Sequence, residues 1–315
     1  MTVRLAVIGG GVSGLTAAYA LRRGLGEDAA IDVWEAGERT GGLLNTRAIG
    51  ATALDVGAEA FIVRRPEALD LIAELGLTDQ VVSPGPLRPA IWSGDRLHPL
   101  PSPAVMGIPA GSAALGDLIG RADRDRVDAE PDRGWRRRPG AGTSVGDLVR
   151  DRFGDAVTAR SVDPMLGGVY SARADDLGLA ETIPALAAAL DDGAPSLTAA
   201  VTSLSAAASA ATGPVFGALR GGYRTLVAAL TAAAGATIRT GAEAAAVGRR
   251  SGGYSVTGTG GTTADYDAVI VAVPAHRAGA LLADVAAGPA ETLRAVRPAG
   301  SAVVRTLNHI GAREI

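Results

Sequence analysis

The sequence predicts an α/β fold interrupted by a largely helical insertion, and three observations carry that expectation. Residues 3–35 read strand, glycine turn, helix, strand. Alternating short strands and helices return from Gly221 onward. The stretch between them is first proline-rich and then alanine-rich. At 315 residues, with 47% apolar and 20% charged side chains, the chain carries enough apolar material for more than one domain.

Residues 3–8 are an apolar run of strand length, residues 12–23 place Leu15, Ala18, Tyr19 and Leu21 for helical packing, and residues 31–35 form a second strand. Residues 51–60 read as extended. Residues 66–77 set Leu69, Ile72, Ala73 and Leu75 at amphipathic-helix spacing, with Gly76 as the stop. Seven prolines between residues 84 and 109 predict a crossover or loop, because proline neither donates to a ladder nor continues a helix. Residues 121–138 mix seven arginines with five acids; they read as a solvated loop or, alternatively, a docking patch for an anionic substrate or membrane surface. Residues 144–153, 180–190 and 197–211 read as helices. Beyond the insertion, residues 223–234 read as a helix and residues 236–240, 254–257 and 268–273 as strands, the last stopped by Pro274.

A net charge of −3 offers no general attraction for polyanions, so nucleic acid is not an expected partner. The absence of cysteine excludes disulfides, thiolate metal sites, cysteine nucleophiles and a thioether-tethered flavin, and no metal site is expected. All 30 basic residues are arginine, which removes a Walker-type or Schiff-base lysine; coding bias of a GC-rich genome accounts for this. No basic region or cleavage site precedes the first strand. The longest uncharged stretch, residues 193–219, contains Pro195 and Pro214 and suits a packed helix better than a bilayer span. A cytoplasmic chain is expected.

Gly9, Gly11 and Gly14 follow one strand and open a helix. In that context the first glycine permits a tight turn, the second a close backbone approach to a pyrophosphate, and the third close helix-to-strand packing, with the phosphates on the helix N-terminus. Glu35 follows Gly14 by 21 residues, at a strand end where a carboxylate accepts ribose hydroxyls and disfavours a 2′-phosphate. A nucleotide such as NAD or FAD is implied. Arg39 and the Gly41-Gly42 pair come next, a combination suited to closing over a pyrophosphate from the opposite side. Residues 54–61 hold Gly57, read either as a glycine bulge or as a place where backbone meets a ring system.

The 35–42 segment resembles the extension of the FAD-dependent amine oxidase superfamily, and residues 54–61 resemble the strand and turn beside its isoalloxazine ring. The resemblance narrows to the bacterial porphyrinogen oxidases of haem synthesis through residues 63–69, Leu97 to Pro101, Met106 to Pro109, residues 163–172 and residues 219–226. It covers the chain to about Leu282. It implies a Rossmann-like FAD-binding domain of the glutathione-reductase and amine-oxidase type, an α+β substrate domain and a helical insertion. The implied bounds are residues 1–83 and 213–275 for the two FAD-binding segments, 84–110 for a crossover, 111–212 for the insertion and 276–315 for an incomplete substrate domain.

On the same resemblance, FAD is held non-covalently by Gly9, Gly10, Gly11, Val12, Ser13, Gly14, Glu35, Ala36, Arg39, Gly42, Leu43, Gly57, Ala58, Glu59 and Ala60, with Ala244 at the adenine. Gly168, Val169 and Tyr170 form a turn facing the substrate, Tyr170 being either a packed core aromatic or a tetrapyrrole contact. The implied activity is oxidation of coproporphyrinogen III or protoporphyrinogen IX by O2, giving H2O2. Hydride passes from a methylene bridge to the flavin while a pyrrole proton leaves, three times over. Peripheral contact at the inner membrane face and other haem-pathway enzymes are implied partners. No residue is singled out as acid or base; His98, His276 and His309 read as structural or surface. Family members are longer and return with a glycine-rich segment that closes the flavin site, so a truncation or frameshift after about Val304 is expected. Another superfamily member, such as a phytoene desaturase or amine oxidase, or a non-catalytic FAD-binding fragment, stands as the alternative.

Overall fold

A computed structural model describes residues 2–83, 85, 88–134, 142–209 and 213–297. It has two compact units, one made from the described residues of Met1–Pro84 and Pro214–Pro298, the other from those of Gly85–Gly213.

The first unit is built on a parallel sheet. Strand β1 (Arg4–Ile8) pairs on one side with β2 (Ala30–Trp34) and on the other with Ala268–Val271, while Thr237–Arg239 pairs outside β2. Alternation along β1 assigns its faces. Leu5 and Val7 pack with Ile31, Val33, Ala18 and Ala234, on the side of helix α1 (Val12–Leu25) and helix Arg224–Ala234. Ala6 and Ile8 pack with Trp34, Val247, Val256 and Tyr266, on the side of an antiparallel meander of Ala244–Arg250, Gly253–Gly258 and Thr263–Tyr266. Arg22, in the last turn of α1, reaches across to the carbonyls of Ala234 (3.2 Å) and Gly235 (2.8 Å), so one cation satisfies the exposed end of a neighbouring helix.

A hairpin of β3 (Thr46–Ile49) and β4 (Thr52–Asp55) follows, and helix α2 (Pro66–Glu74) begins with proline at its first turn. Phe216–Leu219 pairs antiparallel with Phe61–Ile62 through its first half and with Val81–Val82 through its second. Leu15, Leu44, Ile72, Leu219, Tyr223, Leu226 and Leu230 form the apolar cluster beneath.

The second unit has its own core, centred on Leu148, Phe153, Leu166, Leu179, Leu186 and Leu197. Helix Val145–Phe153 is capped by the Ser144 hydroxyl accepting from the Asp147 amide. Glu130 is completely buried. Its carboxylate accepts from Arg152 Nε at 2.8 Å and from the Leu197 and Thr198 amides at 2.9 and 3.1 Å, so it caps helix Leu197–Ser209 from a distant segment. Burial disfavours its charge, but these donors outweigh burial and hold the carboxyl below its ordinary range.

Three expectations for this unit need correction. The proline-rich stretch is not a bare loop. It folds as the hairpins Ala90–Ser93 with Arg96–Pro99 and Ala104–Val105 with Ile108–Pro109, in which Pro99 and Pro109 occupy outer positions of two-stranded ladders where a missing donor costs little. The arginine-rich stretch is not a solvated loop over its described part. Arg121–Asp128 is a helix that buries Val127, and Glu130 lies in the core. Gly168 to Tyr170 do not form a turn, because helix Asp163–Tyr170, which continues the helical run from Asp155, passes through them and stops only at Ser171, whose φ of 53° is left-handed.

Candidate functional site

The site grows from the end of β1. Gly9 has φ of +112°, and a Cβ there would sit 2.5 Å from the Ala272 carbonyl oxygen, so the turn between β1 and α1 requires glycine. Gly14 is required for the same reason: a Cβ would lie 1.8 Å from the Gly9 carbonyl oxygen. Helix α1 then opens on Gly11 with no side-chain cap, and its first residues, Val12 and Ser13, line a cavity together with Gly11.

Glu35 emerges at the end of β2 with both carboxylate oxygens engaged. One accepts from the Gly10 amide at 2.8 Å and the other from the Gly37 amide at 2.7 Å. The Glu35 carbonyl accepts from the Ala242 amide at 2.9 Å, which brings the start of the meander alongside. A second glycine loop packs onto the first: the Gly41 amide donates to the Gly10 carbonyl at 2.8 Å, and a Cβ on Gly42 would stand 3.1 Å from Gly11 Cα.

Under this frame Trp34 is nearly buried. Its indole N–H donates to Tyr266 Oη at 2.9 Å; the phenol donates to Asp32 at 2.8 Å, and Arg239 donates to the same carboxylate oxygen at 2.9 Å. Burial, then the bond to Asp32, pushes the Tyr266 phenol up to about 12.

These elements enclose a cavity of about 790 Å³ within the first unit. Of the residues expected from sequence, Gly9, Gly11, Val12, Ser13, Glu35, Ala36, Gly42, Leu43 and Ala244 line it. The others lie elsewhere. Gly10, in the turn, and Gly14, in the first turn of α1, are buried and do not line the cavity. Arg39 binds the carbonyls of Thr40, Gly42 and Leu44 at 3.0, 2.8 and 3.2 Å, stapling the second glycine loop, and lines a separate cavity of about 530 Å³. Gly57 and Ala58 pack on the Leu43 carbonyl, with a 3.0 Å bond from the Ala58 amide, while Glu59 and Ala60 are exposed. Gly168, Val169 and Tyr170 belong to the second unit. Tyr170 is 41% exposed and donates to the Thr182 carbonyl at 3.3 Å, so it is not a core aromatic.

Sequence reasoning missed Trp34, Glu243, Ala272, Val273, Arg277 and Leu281 as lining residues, and His276 joins them on the wall. The Val-Pro-Ala-His-Arg run after the Ala268–Val271 strand was the available signal, since ligands gather at the carboxyl ends of parallel strands. His98 is buried between Asp117 and the Ser93 carbonyl, both at 3.0 Å, and His309 lies outside the described residues, as does the expected break after Val304. Among the described residues no cluster of His, Asp and Glu is arranged to hold a metal.

The cavity meets the demands of a bound dinucleotide phosphate: glycine walls a Cβ would fill, uncapped helix amides, and a carboxylate one step away. The model of the family described as flavin containing amine oxidoreductase matches residues 12–308. A coproporphyrinogen III oxidase of Mycobacterium tuberculosis is 45% identical over 95% of this chain and 65% of the relative, and that of Mycobacterium leprae 42% identical over the same shares. The chain thus spans slightly less than two thirds of the length of these curated relatives. A crystal structure from Exiguobacterium sp. 255-15 with a provisional protoporphyrinogen oxidase name superposes with a TM-score of 0.79 at 27% identity, covering 92% of this chain and 64% of that one. A putrescine oxidase, at 20% identity and a TM-score of 0.57, shares the fold.

Proposed function

Because the chain belongs to the flavin containing amine oxidoreductase family, we propose that it is a flavoenzyme of haem synthesis whose first unit binds FAD non-covalently and whose substrate is a porphyrinogen. The single observation that carries the cofactor reading is the cavity where the α1 amides, Glu35 and the two packed glycine loops converge. The substrate reading follows the 45% identity to proteins named coproporphyrinogen III oxidase. Coproporphyrinogen III is therefore proposed ahead of protoporphyrinogen IX, with O2 as electron acceptor and H2O2 as co-product. When bound, the flavin supplies the two-electron acceptor that no side chain of this chain can provide.

The residues of the chain bind and orient. The α1 amides at Val12 and Ser13 hold phosphate, Glu35 takes the ribose hydroxyls on its remaining lone pairs, and Gly42 and Leu43 close the near wall. Non-covalent binding suits a chain without cysteine. Gly57 to Ala60, and in the second unit Gly168 to Tyr170, are proposed to face the ring and the substrate. No helix among the described residues is long and apolar enough to cross a membrane; the proposed setting is the cytoplasm, with peripheral contact at the inner membrane face and with other haem-pathway enzymes.

Purified chain is expected to be yellow and to release free FAD on heat denaturation. In air it is expected to generate coproporphyrin fluorescence from coproporphyrinogen III faster than autoxidation, and faster than protoporphyrin from protoporphyrinogen IX. Flavin retained without turnover of either would replace the oxidase reading by that of a flavin-binding fragment. Turnover of a primary amine or a carotenoid precursor instead would point to another branch of the family.

A further inference from the structure

We infer that the ion pair between Arg277 and Glu243 clamps the adenosine end of the cavity, making Arg277 a determinant of preference for an adenine dinucleotide over a flavin mononucleotide. This deepens the flavin reading above and rests on it.

The cavity has a direction. The phosphate-binding amides of α1 stand at one place and Glu35 next to them, through its bond to Gly10. The Ala242 amide donates to the Glu35 carbonyl, so the wall continues directly from the ribose acid into Glu243 and Ala244. That wall turns small and apolar, with Ala244 and Ala245 on one element and Ala280 on another, which suits a flat purine rather than a sugar or a second phosphate.

Arg277 and Glu243 line the same cavity from different elements, helix Ala275–Leu281 and the approach to strand Ala244–Arg250. Their Nη1 and Oε1 atoms lie 3.6 Å apart, and the side chains are 66% and 48% exposed. As a surface ion pair this adds little stability. A guanidinium held at the edge of a slot for a planar base has a second use, because it can lie over the ring face or donate to ring nitrogens. Both backbones are fixed. Helix Ala275–Leu281 packs so tightly on Ala287–Ala295 that a Cβ on Gly279 would stand 2.6 Å from the Ala290 carbonyl oxygen, and the Glu243 carbonyl accepts from the Thr259 amide at 2.9 Å.

The test is calorimetric titration of flavin-stripped chain with FAD, ADP and FMN, with circular dichroism confirming the fold of each variant. R277A is expected to raise the dissociation constants of FAD and ADP about tenfold while leaving that of FMN unchanged. R277K should recover part of the loss. E243Q should weaken FAD and ADP less than R277A, and should add nothing in the R277A background if the two side chains act as one unit. R277A binding FAD and ADP like the parent, or losing FMN in equal measure, would overturn the assignment. A parent chain that binds FAD no more tightly than FMN would sink the dinucleotide reading itself before any substitution is made, so the two failures are distinguishable.

Discussion

Glu35 holds the glycine turn together in addition to its proposed contact with ribose. Both carboxylate oxygens accept backbone amides, and bonds to a charged acceptor contribute about 1.5–3 kcal/mol each. E35A should therefore weaken FAD by roughly a hundredfold, as seen by recovery of flavin fluorescence, and should also lower thermal stability. A ribose contact alone would leave stability unchanged. Gly14 gives a sharper case: G14A forces a methyl to within 1.8 Å of a carbonyl oxygen, and the backbone shift should cost about 1–3 kcal/mol or more, read as a lower urea midpoint. Tyr266 supplies a pH dependence. Its folded phenol ionises at about 12, above the ordinary value near 10, so it favours the folded state below about pH 10 and ceases to do so as pH rises through about 12. Y266F should flatten that alkaline loss in a series of melts. Gly9, Glu35 and their neighbours were legible because their chemistry is local, packed into 27 residues of sequence. Trp34 and Tyr266 lie 232 residues apart, and nothing in either local pattern announces that an indole donates to a phenol.

Elements divided along similar lines. β1, α1, β2 and helix Arg224–Ala234 were readable because apolar periodicity agrees with turn chemistry and capping, each level pointing the same way. The strands of the meander were only partly readable: Ala244–Arg250 and Thr263–Tyr266 are built largely from Ala, Gly, Thr and Arg, with little β-branched apolar alternation to reveal them. Proline concealed the Ala90–Ser93 hairpin, although the Gly94-Asp95 turn, with both φ near 58°, is the two-residue kind that joins antiparallel strands. The sequence predicts helix Leu197–Ser209, and Ser196 caps it locally by accepting from the Ala199 amide at 3.0 Å, but the second cap was not legible, because Glu130 comes from 67 residues earlier. E130A removes an acceptor from Arg152 and from two helix amides at a fully buried position, and should cost about 3 kcal/mol or more in a urea titration. Since the folded Glu130 carboxyl is held below its ordinary range, its stabilisation is complete above the unfolded carboxylate pKa of about 4.3 and fades as pH falls through the lower folded value. The parent should lose stability over that acid range more steeply than E130A.

At the scale of the whole molecule, the segments that make the sheet of the first unit come from both sides of a long insertion. Thr237–Arg239 and Ala268–Val271 add to opposite edges of a ladder begun by β1 and β2. The insertion leaves and returns at one place, because Val82 pairs with Ala218 and the Val63 amide donates to the Val215 carbonyl at 2.9 Å. For an unfolded polymer this is a ring-closure problem: bringing the ends of the 85–213 segment together costs roughly 3 kcal/mol more than closing a loop of four or five residues. A segment with its own core, emerging from the ribosome before residue 214, can acquire structure first and present its two ends already close, which removes most of that cost from the later step. The expected signature is a refolding rate for the first unit that changes little when residues 85–213 are replaced by a short flexible linker, with flavin binding retained, whereas an insertion that folds late would make the linker variant refold faster. Seen this way, the Val82–Ala218 pair is a seam at which evolution or a protein engineer could exchange the intervening module without redrawing the nucleotide cradle.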